Sequence, residues 1–204
     1  MTAGGLPARW LTGRVTAATF DPMLRLVVCL VLAGAPAGCR KSPTAAPAPE
    51  PELIPAAPPA LEGYRWHRIP PQAGYGSVEL PEGEGWARGI YEGVELINQK
   101  LDITVMITTQ PDVGADSRGE YMDTFTLTNK RDAPKYEVVG RHDGLVKRLP
   151  AGRLDGRFDN GTAYATRDYV LFARQGAFVV MVRGPLALTT HVRQLADHIA
   201  HSFE

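Results

Sequence analysis

The chain has 204 residues with 22 Lys+Arg balanced by 22 Asp+Glu and only two cysteines. The charge balance leaves no basic stripe of the kind that nucleic acid requires. The two cysteines are too few for a disulfide framework.

The first element in chain order is an export signal. Arg25 precedes an apolar run from Leu26 to Ala35. That run is about half of the roughly 20 residues needed to span a bilayer, and it ends at small residues, as secretory signals do. The tripeptide Ala37-Gly38-Cys39 resembles the end of a bacterial lipobox, in which the cysteine is lipidated and becomes the first residue of the mature chain. Residues 1–38 are therefore read as a signal peptide, with Met23 as an alternative start. Cys39 is read as the lipid attachment site. Its acyl chains, palmitate among them, would hold the protein on the bacterial envelope, since stable anchoring needs more than one chain. Arg40 follows where an Asp resembles an inner-membrane retention signal, so the outer membrane facing the periplasm is the expected location. Beyond residue 38 the chain keeps 19 basic and 21 acidic residues and, apart from Cys39, no cysteine.

Residues 39–62 are rich in Pro and Ala. Such composition favours extended polyproline-like conformations that bury little. A tether is expected there, adding nothing to the stability of a single domain over 63–204. Tyr64 and Trp66 open that domain as a strap or an exposed contact surface, and they are the candidate binding residues. Tyr75, Trp86 and Tyr91 complete an aromatic cluster in sequence.

Strands are expected at Ser77–Leu80, in WARGIYEGVEL and in LDITVMITTQ, with a turn at Gln99-Lys100. Ile103, Val105 and Ile107 alternate toward one face. Ser117 and Glu120 form a capping-box pattern for a helix over Ser117–Asn129, with Tyr121 and Phe125 on one side. A strand follows at YEVVG, then a meander from Val146 to Arg183. Asn160-Gly161 suggests a type I′ hairpin, and AFVVMVRG reads as a strand buried on both faces. The last helix, from about Thr190 to Phe203, has one apolar stripe of Val192, Leu195, Ala196, Ile199 and Phe203, capped by Thr189 or Thr190.

Chemical motifs are sparse. His191, His198 and His201 fall on the polar side of the last helix, where solvent is the expected environment; His198 and His201 would need further ligands to hold a metal. His142-Asp143 is the only pairing suited to a hydrolase, but neighbours in a strand point to opposite faces, and a turn at His142-Asp143-Gly144 accounts for them. Asp155 and Asp159 lack the ligand pattern of a calcium loop and are read as hairpin residues. No metal, cofactor or catalytic residue is assigned.

The order of elements, with Leu80-Pro81, Gly85-Trp86, Glu120-Tyr121, Gly152 and Ser202-Phe203, resembles the PsbP-like family over roughly residues 75–204. The resemblance implies an α+β fold, an α/β/α sandwich with an antiparallel sheet of about six strands and helices on both faces. It implies no chemistry, since known members act mostly as assembly factors or binding platforms. The expectation is a non-enzymatic, membrane-anchored lipoprotein that binds an unidentified envelope protein. The rival readings are a hydrolase using His142 and Asp143, or a small-ligand carrier.

Overall fold

A computed structural model describes residues 48–204 except 60, 70–75, 84 and 90–92. The signal peptide, Cys39, the first part of the tether, Tyr75 and Tyr91 lie outside the described residues.

Among the described residues nine strands and two α-helices follow one another as β1 (Arg65–Ile69), β2 (Val78–Glu82), β3 (Trp86–Arg88), β4 (Val94–Asn98), β5 (Ile103–Pro111), α1 (Arg118–Asp132), β6 (Glu137–Val146), β7 (Leu149–Asp159), β8 (Ala163–Ala173), β9 (Gly176–Pro185) and α2 (Thr189–His201). Seven strands form one sheet in the order β3-β4-β5-β9-β8-β7-β6, and β1 and β2 form a separate ribbon. All strand pairs within both sheets are antiparallel. The fold is α+β, with seven strands in the main sheet where about six were expected.

β9 shows why its sequence is nearly all apolar. Phe178, Val180 and Val182 enter the core beneath α2, while Ala177, Val179 and Met181 enter a second core beneath α1. Side chains alternate along a strand, so a central strand covered on both faces needs apolar residues at every position. Ile103, Val105 and Ile107 join the first core. The helices contribute unequally. α2 buries Val192, Leu195, Ala196, Ile199 and Ala200, whereas α1 buries only Met122 and Asn129. Met122 docks over Gly152, where a Cβ would lie 2.5 Å from its sulfur. Gly152 thus leaves the room that Met122 of α1 occupies against the sheet.

Several local expectations are corrected. The domain begins before residue 63, because the compact unit starts at Glu50. Pro51 and Leu53 bond to both backbone groups of Leu145, at 2.9 and 2.7 Å, and Leu53, Ile54 and Leu61 are buried in the α2-side core. The Pro-rich composition hides this short apolar anchor. WARGIYEGVEL contributes to two antiparallel strands, β3 and β4, rather than one. Ser117 does not cap α1, since its hydroxyl donates to the Gly114 carbonyl of a preceding 3-10 turn. Thr189 is diverted in the same way, to Leu186.

The β7–β8 hairpin has three loop residues, because Asp159 pairs with Ala163. Gly161 alone takes positive φ there, at 106°. The two-residue loop with positive φ at both positions, the type I′ feature, is instead Lys147-Arg148, at 49° and 72°. His142-Asp143-Gly144 is continuous strand, not a turn.

The C-terminus closes the structure. Ser77 and Glu204 exchange two backbone hydrogen bonds at 2.8 and 3.0 Å. The Ser202 hydroxyl accepts from the Glu79 amide at 2.8 Å, and Phe203 packs on Phe178 with ring centroids 4.8 Å apart. Ser202-Phe203 therefore serves as a lock between α2 and β2.

Candidate binding groove and the buried charge networks

Tyr64, just before β1, and Trp66, within it, are two residues apart and lie across α2. The Trp66 ring stacks on His198 at 3.7 Å between centroids, and His198 Nε2 lies 3.0 Å from Glu79 Oε2. Tyr64 stacks on Trp66 at 5.7 Å, and its hydroxyl lies 2.6 Å from His191 Nε2. Burial holds the His191 pKa below its ordinary value, favouring the neutral ring that accepts the phenol proton. Burial also pushes the Tyr64 phenol up. The expectation of a solvated histidine face is thus corrected for His191 and His198, which β1 covers. Arg68 pairs with Glu79 across the ribbon and ties the ribbon to Glu204, each at 3.1 Å.

Trp86 extends this aromatic surface, 6.1 Å from Tyr64. Beside them opens a groove of about 470 Å³, with Tyr64, Trp86 and Leu101 as its apolar wall and Arg65, Lys100 and Glu82 at its charged margin. This volume is within the range of about 300–1,000 Å³ typical of ligand sites. Asn98 fixes the β4–β5 turn at its floor by accepting from the Lys100 and Leu101 amides, both at 3.1 Å. The groove can offer stacking faces and ionic contacts.

The other sequence candidates are dispersed. His142 lies opposite Arg153 and Asp143 opposite Gly152 across the β6–β7 ladder, so the two side chains project to opposite faces. Asp159 belongs to the hairpin, accepting from the Gly161 amide at 2.8 Å. That bond, with Lys135 beside it, holds its carboxyl below the usual range. Among the described residues no three His, Cys, Asp or Glu side chains gather as metal ligands do.

Sequence reasoning missed the centre of β8. Arg167 and Asp168 stand side by side in a buried strand and project to opposite faces. On the α2 face, Arg167 bonds Asp155 at 2.7 Å and both oxygens of Asp197 at 2.9 and 3.0 Å. Tyr169 donates to Asp197 at 2.6 Å. Burial opposes the charge on Arg167, yet Asp155 and Asp197 push its pKa up. Asp155, expected in the hairpin, is instead buried in this network. The available signal was a charged pair interrupting an otherwise apolar central strand, where burial demands a partner.

No protein-family model matches the chain, and no curated protein matches it in sequence. Solved structures do. The cyanobacterial PsbP protein CyanoP from Synechocystis is 14% identical with a TM-score of 0.50, over 78% of this chain and 99% of that one. LpqN from Mycobacterium tuberculosis, a protein involved in cell envelope biogenesis, is 14% identical with a TM-score of 0.47, over 69% and 90%. The Ran-binding protein Mog1p from Saccharomyces cerevisiae is 12% identical with a TM-score of 0.47, over 69% and 95%. The fold of this chain is PsbP-like, as the first of these comparisons shows.

Proposed function

We propose that this chain is a non-enzymatic binding or assembly module, lipid-anchored through Cys39 at the bacterial envelope, with an envelope protein as its partner. The observation that carries the binding role is the groove beside Tyr64 and Trp86. It combines two neighbouring aromatic rings, Tyr64 and Trp86, tilted 59° to each other, with charged margins in a volume suited to a ligand or a protein anchor. Aromatic residues in such settings are enriched among those that dominate binding energy. The separation of His142 from Asp143 on opposite faces weighs against the hydrolase reading.

The test is site-specific photocrosslinking in intact cells. A photoreactive residue at Glu62, next to the groove, should give a discrete adduct that a probe at Arg174, in the β8–β9 turn, does not. The adduct should disappear when Tyr64 and Trp86 are both changed to Ala in a chain that still melts cooperatively. Equal adducts from both probes, or an adduct that survives the double change, would overturn the groove as the contact surface. Anchoring is tested separately by acyl mass at Cys39 and by the fractionation of Cys39→Ser.

A further inference from the structure

The sheet face beneath α1 carries a cluster of polar groups inside the protein. Thr166 and Asp168 are two residues apart on β8 and share that face. Directly across from Thr166 lie Arg183 on β9 and Gly156 on β7. The Tyr136 hydroxyl fills the space above Gly156, where a Cβ would come within 2.2 Å of its oxygen. Asn129 completes the cluster from the end of α1. Its amide donates to Asp168 Oδ2 at 3.2 Å and its carbonyl accepts from Arg183 at 3.4 Å. Asp168 is 1% exposed, Thr166 3% and Asn129 5%.

Four buried atoms in this cluster have no hydrogen-bond partner within the described protein: Tyr136 Oη, Thr166 Oγ1, Asp168 Oδ1 and Arg183 Nε. Thr166 and Asn129 lie near the Tyr136 hydroxyl but outside good bonding geometry. Buried groups left unpaired carry their full desolvation penalty. Their chemistry defines what completes them. A cation is repelled by Arg183, and an apolar guest satisfies none of the four. A small neutral molecule that both donates and accepts fits two hydroxyls, one N–H donor and one carboxyl oxygen, and water is the molecule that ordinarily fills such sites.

We propose that Tyr136, Thr166, Asp168 and Arg183 form an internal site for a bound water molecule and an exchangeable proton, which together hold the C-terminal half of α1 on the sheet. The proton resides on the Asp168 carboxyl and leaves to solvent as pH rises. Burial pushes the Asp168 pKa up to about 7; Arg183 and Asn129 oppose the rise, and Asp155 behind the sheet adds to it. The facing phenol of Tyr136 stays protonated, because burial and Asp168 push its pKa up. Ionised Asp168 is poorly compensated. Arg183 reaches Asn129 rather than the carboxylate, and its guanidinium lies 5.9 Å from the centre of the Phe158 ring. The N-terminal half of α1 is held by Met122, by Tyr121 against Phe172 and by Arg118 on Glu50; beyond Phe125 only Asn129 is buried, so the C-terminal half depends on this cluster.

The experiment is hydrogen exchange of the α1 amides over residues 126–132 from pH 6 to 8, corrected for intrinsic rates, together with a crystal structure at about 1.5 Å resolution, fine enough to place ordered water. Protection of these amides should fall about tenfold across that range, as expected for a proton held at pH 7 only in the closed form. In Asp168→Asn the fall should vanish. Water should appear within bonding distance of the four atoms. Protection in the wild type that is independent of pH, an unchanged step in Asp168→Asn, or a dry cluster would overturn the proposal. Should Asp168→Asn fail to fold, the carboxyl carbon of Asp168 in the wild type decides: a midpoint near neutrality supports the site, and one below pH 5 sinks it.

Discussion

The Trp66 indole lies face to face with the His198 imidazole, 3.7 Å between centroids and 19° from parallel. This contact joins a ribbon outside the main sheet to the polar side of α2. Offset aromatic pairs add about 0.5–1.5 kcal/mol beyond their buried area. His198→Ala should therefore cost about 1 kcal/mol in urea unfolding, and Trp66→Ala about 2 kcal/mol, below the range for a fully buried aromatic because Trp66 is only partly buried. A His198→Ala midpoint equal to that of the wild type would show that the strap contributes nothing.

The anchor at Leu53 and Ile54 makes a second prediction. A chain starting at residue 63 loses three buried aliphatic side chains, Leu53, Ile54 and Leu61, and the Glu50–Arg118 ion pair at 2.8 Å. At about 1.5–3 kcal/mol for each fully buried side chain, it should melt well below a chain starting at residue 48. Leu53→Ala with Ile54→Ala in the longer chain should reproduce most of that loss. Equal melting temperatures for the two chains would show that the segment does not dock in solution.

How legible all this was depended on the kind of signal. β9 and α2 were readable because burial imposes a period, and Val192, Leu195 and Ile199 fell where the stripe placed them. The anchor was hidden because Leu53 and Ile54 are too few to show a period between prolines. The caps failed because Ser117 and Thr189 each had a nearer carbonyl in a 3-10 turn. The histidine face was misjudged because helix periodicity does not report a ribbon laid over the polar side from more than 120 residues away in sequence. Asp168 and Arg167 were visible as charges, but their partners on α1, β7, β9 and α2 exist only after folding.

Backbone strain at Arg148 gives a third test. Its φ of 72° is one that side chains with a Cβ adopt reluctantly. The left-handed region costs about 1–2 kcal/mol for such residues, partly offset by the greater freedom of glycine in the unfolded chain. Arg148→Gly should raise stability by about 0.5–1 kcal/mol, read from the denaturation midpoint. A loss of stability would mean that the arginine side chain matters more than its backbone angle.

The Arg167 network predicts a sharp asymmetry. Asp155→Ala leaves a buried guanidinium short of a partner, and breaking a buried pair from one side costs about 3–5 kcal/mol. Replacing Arg167 by Met together with Asp155 by Leu and Asp197 by Asn removes all three charges of the network and should cost far less. Equal losses in the single and triple variants would show that packing, not charge, governs this part of β8.

The pH dependence of global stability follows from Asp168. Its folded pKa of about 7 lies above the unfolded value of about 3.9, so between these limits the folded state binds the extra proton. The associated stability is fully present below pH 4 and is lost as pH rises through 7. Glu50 and Asp159 act with the opposite sign, because ionic and hydrogen-bonded partners lower their pKa values. Their stabilisation is present above pH 4 and is lost on acidification. The two effects occupy different windows, so stability should peak between about pH 4 and 5 and decline toward pH 8. Asp168→Asn removes the decline without touching the acid limb. A wild type whose unfolding free energy is flat or rising from pH 5 to 8 would contradict the assignment.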